Sequence, residues 1–265
     1  MRCATDPDHD DGAELPLLVF AHGNSFPAPS YRKLLGLLGE VFEVAAPERF
    51  GHDPAYPVSD SWPHLLAELH AFVRRVAQRR RVVLLDAPIV SGWRAALLWG
   101  SKRSGLAWRT APAAAARRRR DTWADVEAVR AHFGSKDIFA RWDPEMLDDY
   151  ARLATEARDG ARVLRFARDV EAQIYATLPH GLGRLLRRPP QVPIGFIAGR
   201  SSRELRMAGM RATQRLVGPH LRWIDGTHLF PFEHPRRTAQ TIVELWRALE
   251  EAPSGSAPER RARSL

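Results

Sequence analysis

Cysteine is almost absent from this sequence, which has only Cys3 among its 265 residues. An internal disulfide is therefore excluded, and nothing favours an oxidising compartment. The chain also lacks an apolar run long enough to cross a bilayer and a recognisable N-terminal leader with a cleavage site. These absences predict a cytoplasmic protein without a membrane span.

Lysine is the second scarce residue type, since most of the positive side chains behind the net charge of +9 are arginines. The arginines occur in short clusters that are separated by acidic residues and fall in different predicted elements. A protein that binds nucleic acid usually gathers such residues on one continuous surface. We therefore interpret the clusters as solvated helix faces and expect no nucleic-acid partner. The clusters lie at residues 79–81, 117–120 and 260–263.

Apolar residues are plentiful, and their spacing predicts the fold class. The hydrophobic content of 45%, with eight Trp and eleven Phe, is enough for a sizeable core. Short apolar runs alternate with helical periodicity, which is typical of an α/β domain with parallel strands covered by helices. The predicted strands are residues 17–21, 42–46, 82–86, 194–198 and 221–225, and helices are predicted from residue 30 and over 61–78, 204–216 and 235–249.

The chain divides into a core, an insertion and two tails. Residues 1–14 and 252–265 are polar or rich in Pro, Ser and Arg, which predicts disordered tails. We assign residues 15–90 and 187–251 to the α/β core, and 91–186 to an inserted cap that is nearly all helix. Helix breaks in the cap are expected near Gly105, Gly134, Pro144 and Gly160, and its aromatic residues are interpreted mainly as packing.

Four short motifs follow predicted strands or loops and carry a family resemblance. They are LLVFAHGN at residues 17–24, GHD at 51–53, GTHLFP at 226–231 and FEHP at 232–235. In this order, over about residues 15–250, they resemble the α/β-hydrolase superfamily of capped serine esterases and lipases. The resemblance implies a mostly parallel sheet with flanking helices and hydrolysis of an ester or acyl bond in a small apolar molecule. No pair of histidines other than His228 has metal-ligand spacing on one predicted element, and no cofactor or metal is expected.

The resemblance also assigns roles to residues by position. Asn24 would donate its backbone N–H to a developing oxyanion, the alternative being an ordinary turn after the strand. His228 matches the general base. In the loop after strand 194–198 the usual aspartate position holds Ser202, so Glu204 is the candidate for the acid that orients His228. Asp225 is the second candidate, and the alternative for Glu204 is a structural salt bridge.

The serine nucleophile has no candidate at its usual position, because the chain contains no Gly-x-Ser-x-Gly motif. Family members place a strand, this elbow and a helix between the elements that correspond to helix 61–78 and strand 82–86. Only residues 79–81 separate those elements here. A strand, an elbow and a helix need roughly 25 residues. We therefore predict that this segment, including the central strand of the sheet, has been deleted.

A deleted central strand would leave unpaired backbone groups on both of its neighbours, which is costly when they are buried. One hypothesis is that strand 82–86 moves beside strand 17–21 and closes the sheet. The move would bring Asp86 and Ser91 near the elbow position. These two residues and Ser25, which directly follows the His-Gly-Asn turn, are the candidates for a replacement nucleophile, although none has the sequence context of an elbow.

The functional expectation is serine-hydrolase turnover that is absent or very weak. The alternative is a non-catalytic protein that binds an apolar small molecule in the capped pocket and keeps a vestigial site. A truncated chain that hardly folds is a third hypothesis, and no oligomeric state is predicted.

Overall fold

The computed structural model describes residues 15–76, 82–186 and 188–251. The strands are β1 (Leu17–Val19), β2 (Glu43–Ala45), β3 (Val82–Leu85), β4 (Thr122–Trp123), β5 (Thr155–Arg158), β6 (Ala161–Leu164), β7 (Ile194–Gly199) and β8 (Leu221–Ile224). The helices are α1 (Arg32–Gly39), α2 (Pro63–Val76), α3 (Gly92–Arg103), α4 (Ala111–Arg118), α5 (Val126–Gly134), α6 (Pro144–Leu153), α7 (Arg168–Ala176), α8 (Leu182–Leu185), α9 (Arg203–Ala208), α10 (Arg211–Val217), α11 (Phe230–Glu233) and α12 (Pro235–Glu250).

The five predicted core strands are all present, with ends that differ by one or two residues from those predicted, and they form two parallel sheets. The first sheet pairs β1 with β2, and Leu17 lies opposite Glu43. The second sheet has the order β3-β7-β8, and Val82 lies opposite Ile194. The α/β class predicted from the alternation of strands and helices is therefore confirmed.

The hypothesis that strand 82–86 closes the sheet beside strand 17–21 is wrong. In the part of the chain that the structure describes, β3 pairs with β7 and β1 pairs with β2, and no hydrogen bond joins β1 to β3. The pairing of β3 with β7 continues past the strand, where Asp86 N–H donates to the carbonyl of Ile197 at 2.8 Å. Strand β3 is thus held by its partner in the second sheet, and within the described residues neither β1 nor β3 pairs with a second strand.

The two sheets nevertheless share one hydrophobic core. Helices α1 and α12 pack against each other and bury Leu34, Leu38, Leu245 and Leu249. The same cluster contains residues from both sheets, with Ile197 and Ile224 buried and Leu18 packed against them. One side of the domain is therefore closed by two amphipathic helices, as the periodicity of residues 30–38 and 235–249 predicts.

Helices α2 and α3, which precede and follow β3, have no buried residue. The apolar stripe predicted for helix 61–78 does not form a buried face, and 55% of Leu66 is exposed. On α3, Trp93 and Leu97 are each 64% exposed. Amphipathic helices normally bury such a stripe. The stripe of α2 is half-buried apart from Leu66, whereas the large apolar side chains of α3 are mostly exposed.

Residues 91–186 were predicted to be nearly all helix, and this is wrong for one part of them. Besides helices, they form an antiparallel sheet with the order β4-β6-β5. Asp159 and Gly160, both at positive φ, make the turn of the β5–β6 hairpin. Asp-Gly between two alternating stretches is a strong hairpin signal, which was interpreted as a helix break. The packing role predicted for the aromatic residues is confirmed for Trp123, Phe133, Phe139 and Trp142, which are buried.

Some sequence predictions concern residues that the structure does not describe. The predicted tails 1–14 and 252–265, the end of helix 61–78 and the arginine cluster 79–81 lie outside the described residues. The helix predicted over 204–216 is two helices, α9 and α10, that are separated by Gly209 at a φ of 79°. None of the described helices is both long and apolar enough to cross a membrane.

Candidate active site

The candidate site lies where β3 and β8 end. Asp86 follows β3 and His228 follows β8, and because both strands are parallel to β7, their carboxyl ends meet at one edge of the second sheet. The imidazole Nδ1 of His228 lies 2.8 Å from Oδ2 of Asp86. An acid and a histidine that are far apart in the sequence are thus joined by a hydrogen bond.

Three donors converge on the carboxylate of Asp86, which has no solvent exposure. The backbone N–H of Gly199 donates to Oδ1 at 2.8 Å. The hydroxyl of Ser202 donates to Oδ2 at 2.5 Å, and His228 is the third donor. These bonds also hold Asp86 at a φ of 45°, a left-handed conformation that is unusual for a residue other than glycine. The carboxylate is therefore fixed in position and orientation.

His228 is oriented as a general base would be. Because the carboxylate of Asp86 accepts a hydrogen bond from Nδ1, the neutral ring carries its proton on Nδ1, and the lone pair of Nε2 is free. Burial lowers the pKa of His228, but the hydrogen bond to Asp86 and the negative charges of Glu204 and Asp86 outweigh it, so the pKa is raised. The side chain is 41% exposed. In the described residues no group hydrogen-bonds to Nε2, which is the atom that takes a proton in the serine hydrolases.

The predictions for the orienting acid need correction. Asp86, and not Glu204, contacts Nδ1 of His228, while Glu204 accepts a hydrogen bond from the Ser202 hydroxyl at 3.3 Å. Asp225 is 91% exposed and pairs with Arg200 at 2.9 Å, so it does not orient the histidine either. The reason is geometric, because Asp86 follows β3 and His228 follows β8, the two strands that flank β7, and the carboxyl ends of these parallel strands meet at one edge of the sheet.

Asp86 was also a candidate nucleophile, and its burial argues against that role. Only 1% of its side chain is exposed, and both oxygens accept hydrogen bonds from protein groups. A carboxylate nucleophile must reach the substrate. The geometry of Asp86 is therefore that of an orienting acid.

The turn after β1 contains Asn24 and Ser25. Both residues hydrogen-bond to the segment 91–186. The side-chain amide of Asn24 donates to the carbonyl of Glu171 at 3.2 Å. Ser25 is 3% exposed with a φ of 77°, and its hydroxyl accepts a hydrogen bond from Arg119. Arg119 also pairs with Glu171 at 2.6 Å. The hydroxyl of Ser25 is thus engaged in a buried network and makes no hydrogen bond to His228.

Ser91 is the residue that precedes α3, and its side chain makes no capping hydrogen bond. It lines an open cleft of about 550 Å³ together with Trp99, His180 and Arg184. No hydrogen bond links Ser91 to His228. None of the three candidate nucleophiles, Asp86, Ser25 and Ser91, therefore hydrogen-bonds to Nε2 of His228.

His22, which precedes the predicted oxyanion turn, has a structural role that the sequence did not indicate. Its Nδ1–H donates to the carbonyl of Gly23 at 2.9 Å, and Nε2 accepts from the N–H of Phe50 at 2.9 Å. Burial lowers the pKa of His22 to about 4, partly offset by the hydrogen bond to Gly23. A neutral His22 thus ties the Gly23–Asn24 turn to the loop after β2.

No protein-family model matches the sequence, and a comparison with curated proteins found no match. Solved structures do resemble the chain. The crystal structure of E-2-(acetamidomethylene)succinate hydrolase has a TM-score of 0.67 and 17% sequence identity, covering 88% of this chain and 91% of that chain. A thioesterase domain from the curacin biosynthetic pathway has a TM-score of 0.63 and 15% identity, covering 87% and 92%. The peroxisomal α/β-hydrolase Lpx1 of Saccharomyces cerevisiae has a TM-score of 0.61 and 13% identity, covering 94% and 82%.

These similarities, with the parallel sheets, the flanking helices and the histidine after the last strand, establish the fold. The chain has the α/β-hydrolase fold.

Proposed function

We propose that this protein is an α/β-hydrolase-fold protein that keeps the acid and base of a hydrolase, Asp86 and His228, without the serine that they would activate. Ester or acyl hydrolysis through an acyl-serine intermediate is then absent or very weak. The amide of Asn24 is the remaining candidate for the oxyanion donor.

One observation carries this proposal: the hydrogen bond of 2.8 Å between Nδ1 of His228 and Asp86, with no hydroxyl bonded to Nε2 in the described residues. The sequence also supports the proposal, since it has no Gly-x-Ser-x-Gly motif and only five residues between α2 and β3. The facing edges of β1 and β3, unpaired in the described chain, fit the loss of a strand from the middle of the sheet.

Pre-steady-state hydrolysis of p-nitrophenyl butyrate, with the ester in excess over the protein, tests the proposal. We expect no burst of nitrophenol and no mass increase of the protein by one butyryl group, because an acyl-enzyme needs an activated nucleophile. The variant H228Q serves as the reference. A burst with a stoichiometry near one per chain that is lost in H228Q would contradict the proposal.

A second candidate function, binding of an apolar small molecule, is supported by the cleft beside α3. Its volume of about 550 Å³ falls in the range of small-molecule sites. Ala95, Ala96 and Trp99 contribute apolar walls, and Arg184 and His180 add polar groups. Such a ligand would cover part of the exposed surface of α3, where Trp99 is 50% exposed.

Thermal stabilisation by a non-hydrolysable fatty ether tests this second candidate. Ala96→Phe would fill the cleft, whereas Ala115→Phe adds the same volume at an exposed position of α4. Binding in the cleft predicts a ligand-dependent rise of Tm in the wild type and in A115F that is lost in A96F. An equal rise in all three proteins, or none, would exclude the cleft as the binding site.

A further inference from the structure

We propose that Asp86, Glu204 and His228 form a binding site for a divalent transition-metal ion of the zinc type. Each of the three residues offers one ligand atom, and these atoms all lie within 4.8 Å of one another. The donors are two carboxylate oxygens and one imidazole nitrogen, a set that suits Zn²⁺ and Co²⁺. The three residues follow three different strands of the second sheet, so the fold and not local sequence spacing assembles them.

The distances can be closed onto one ion by movement of Glu204. Zinc binds nitrogen and oxygen at about 2.0–2.2 Å in a tetrahedral arrangement, so two donors of the same ion lie about 3.4 Å apart. Oδ2 of Asp86 and Nδ1 of His228 are 2.8 Å apart and would separate slightly. All ligand atoms lie within 4.8 Å of one another and the Glu204 side chain is exposed, so rotation about its flexible bonds has to supply a movement of roughly 1.4 Å.

The charges at the site favour a cation. Neither Asp86 nor Glu204 forms a salt bridge with a lysine or arginine in the part of the chain that the structure describes. Two carboxylates therefore face one imidazole without a permanent positive charge between them. A divalent ion would offset the charges of both carboxylates.

The surroundings of the ligands match those of known metal sites. The buried ligand Asp86 is held by the N–H of Gly199 and the hydroxyl of Ser202, and such outer hydrogen bonds orient metal ligands. His228, at 41% exposure of its side chain, leaves the site open to solvent. Three protein ligands with an open fourth position for water are typical of zinc sites that are not purely structural.

Metal binding and general-base function would exclude each other. An ion on Nδ1 takes the lone pair that the proton occupies in the neutral ring, and the proton moves to Nε2, which then becomes a donor. The imidazole can no longer accept a proton from a nucleophile or from water. The site does not need a serine nucleophile, but it shares His228 with the proposed base, so a bound ion would suppress any turnover that depends on this histidine.

Calorimetric titration of the full chain with ZnCl₂, together with the visible absorption of added Co²⁺, tests this site. We expect one equivalent of Zn²⁺ to bind, and binding at least about tenfold weaker in Glu204→Gln and in His228→Gln. The matched controls are Glu244→Gln and His70→Gln, which remove an exposed glutamate and an exposed histidine elsewhere. Because Glu204 is exposed, E204Q is expected to fold.

Co²⁺ gives the second readout, because its absorption bands report on the ligand set. The proposal predicts bands of a four- or five-coordinate ion in the wild type and in both controls that are lost in H228Q. Zinc binding of equal strength in the wild type, E204Q and H228Q would place the ion elsewhere and overturn the proposal. Absence of Zn²⁺ binding to the wild type would overturn it as well, and neither result would bear on whether the protein forms an acyl-enzyme.

Discussion

Strands β7 and β3 are hydrogen-bonded neighbours, yet they differ sharply in burial. Strand β7 is buried at five of its six residues, whereas all four residues of β3 are only half-buried, as are the three of β1. A central strand of a parallel sheet is normally covered on both faces. The difference reflects their positions, because β7 has hydrogen-bonded neighbours on both sides, whereas β3 and β1 each pair with one strand within the described residues.

The two sheets also differ in what holds their functional loops. The loop after β1 is held by two residues of the segment 91–186. The hydroxyl of Ser25 accepts a hydrogen bond from Arg119, and the side-chain amide of Asn24 donates to the carbonyl of Glu171. The loops of the second sheet hold one another, because Ser202 and His228 each form a hydrogen bond with Asp86. The geometry of Asp86 and His228 therefore depends on contacts within the second sheet and not on the loop after β1.

The largest expected effect concerns Arg119, which anchors the first sheet's loop. Replacement by methionine leaves Glu171 buried without its partner and removes the donor to Ser25. Loss of one member of a buried ion pair costs about 3–5 kcal/mol of unfolding free energy. Urea denaturation measures the effect, with Arg118→Met at an exposed position as the control. A cost no larger than that of R118M would show that the loop does not depend on this network.

The next effect concerns Asp86, which anchors the second sheet's loops. Asp86→Asn keeps the shape but turns one acceptor into a donor beside Ser202 and His228. We expect a loss of roughly 2–3 kcal/mol, the cost of leaving buried donors poorly paired, and a lower pKa of His228 by NMR titration, since the charge of Asp86 helps to raise it. Asp225→Asn is the control, because that side chain is 91% exposed. An unchanged histidine pKa in D86N would contradict the assignment of Asp86 as the orienting acid.

Acid pH should weaken the first sheet through His22. Its pKa falls from 6.5 in the unfolded chain to about 4 in the folded protein, mainly because it is buried. The unfolded chain therefore binds a proton more readily, and the stabilisation by neutral His22 is complete above pH 6.5 and is lost as the pH falls through about 4.

We expect this contribution to be on the order of 2 kcal/mol. Urea denaturation between pH 7 and pH 4 measures it, and the pH dependence should flatten in His22→Gln but not in His64→Gln, an exposed control. Equal pH dependence in the wild type and H22Q would rule out His22 as its source.

The smallest effect is expected on α3, whose apolar residues have no covering partner. Leu97→Ala should change the unfolding free energy by less than about 0.5 kcal/mol, because surface substitutions rarely do more. The same substitution at Leu245, which is fully buried, should cost about 2–5 kcal/mol. Thermal unfolding of both variants compares the uncovered and the covered side of the domain. A loss of unfolding free energy in L97A as large as that in L245A would mean that the apolar side of α3 is covered in solution.

The elements that the sequence predicted correctly depend on local patterns. The apolar runs of the five core strands and the periodicity of α1 and α12 are visible in short windows. The β5–β6 hairpin was missed although its Asp-Gly turn is a local signal, because a helix was assumed throughout the insertion. That the stripe of α2 is only half-buried could not be predicted, since periodicity indicates an apolar face but not how completely a partner covers it.

The site was predicted only in part for a similar reason. His228 was singled out through its motif, and the structure places its Nδ1 at 2.8 Å from Oδ2 of Asp86. Asp86 was singled out as a candidate nucleophile with strand-end hydrogen bonding as the alternative, but its contact with the imidazole could not be predicted, because it depends on the strand order β3-β7-β8. The network of Arg119, Glu171 and Ser25 joins residues that are 52 and 94 positions apart, and no sequence pattern connects them.

Covalent labelling by a fluorophosphonate, read by intact mass, tests most directly whether the acid and histidine pair lacks a serine to activate. The wild type, Ser25→Ala, Ser91→Ala and His228→Gln would be compared at equal probe concentration. We predict no labelling of the wild type beyond the level of H228Q. Stoichiometric labelling that depends on His228 would contradict the account, and its loss in S25A or S91A, or its persistence in both, would locate the nucleophile.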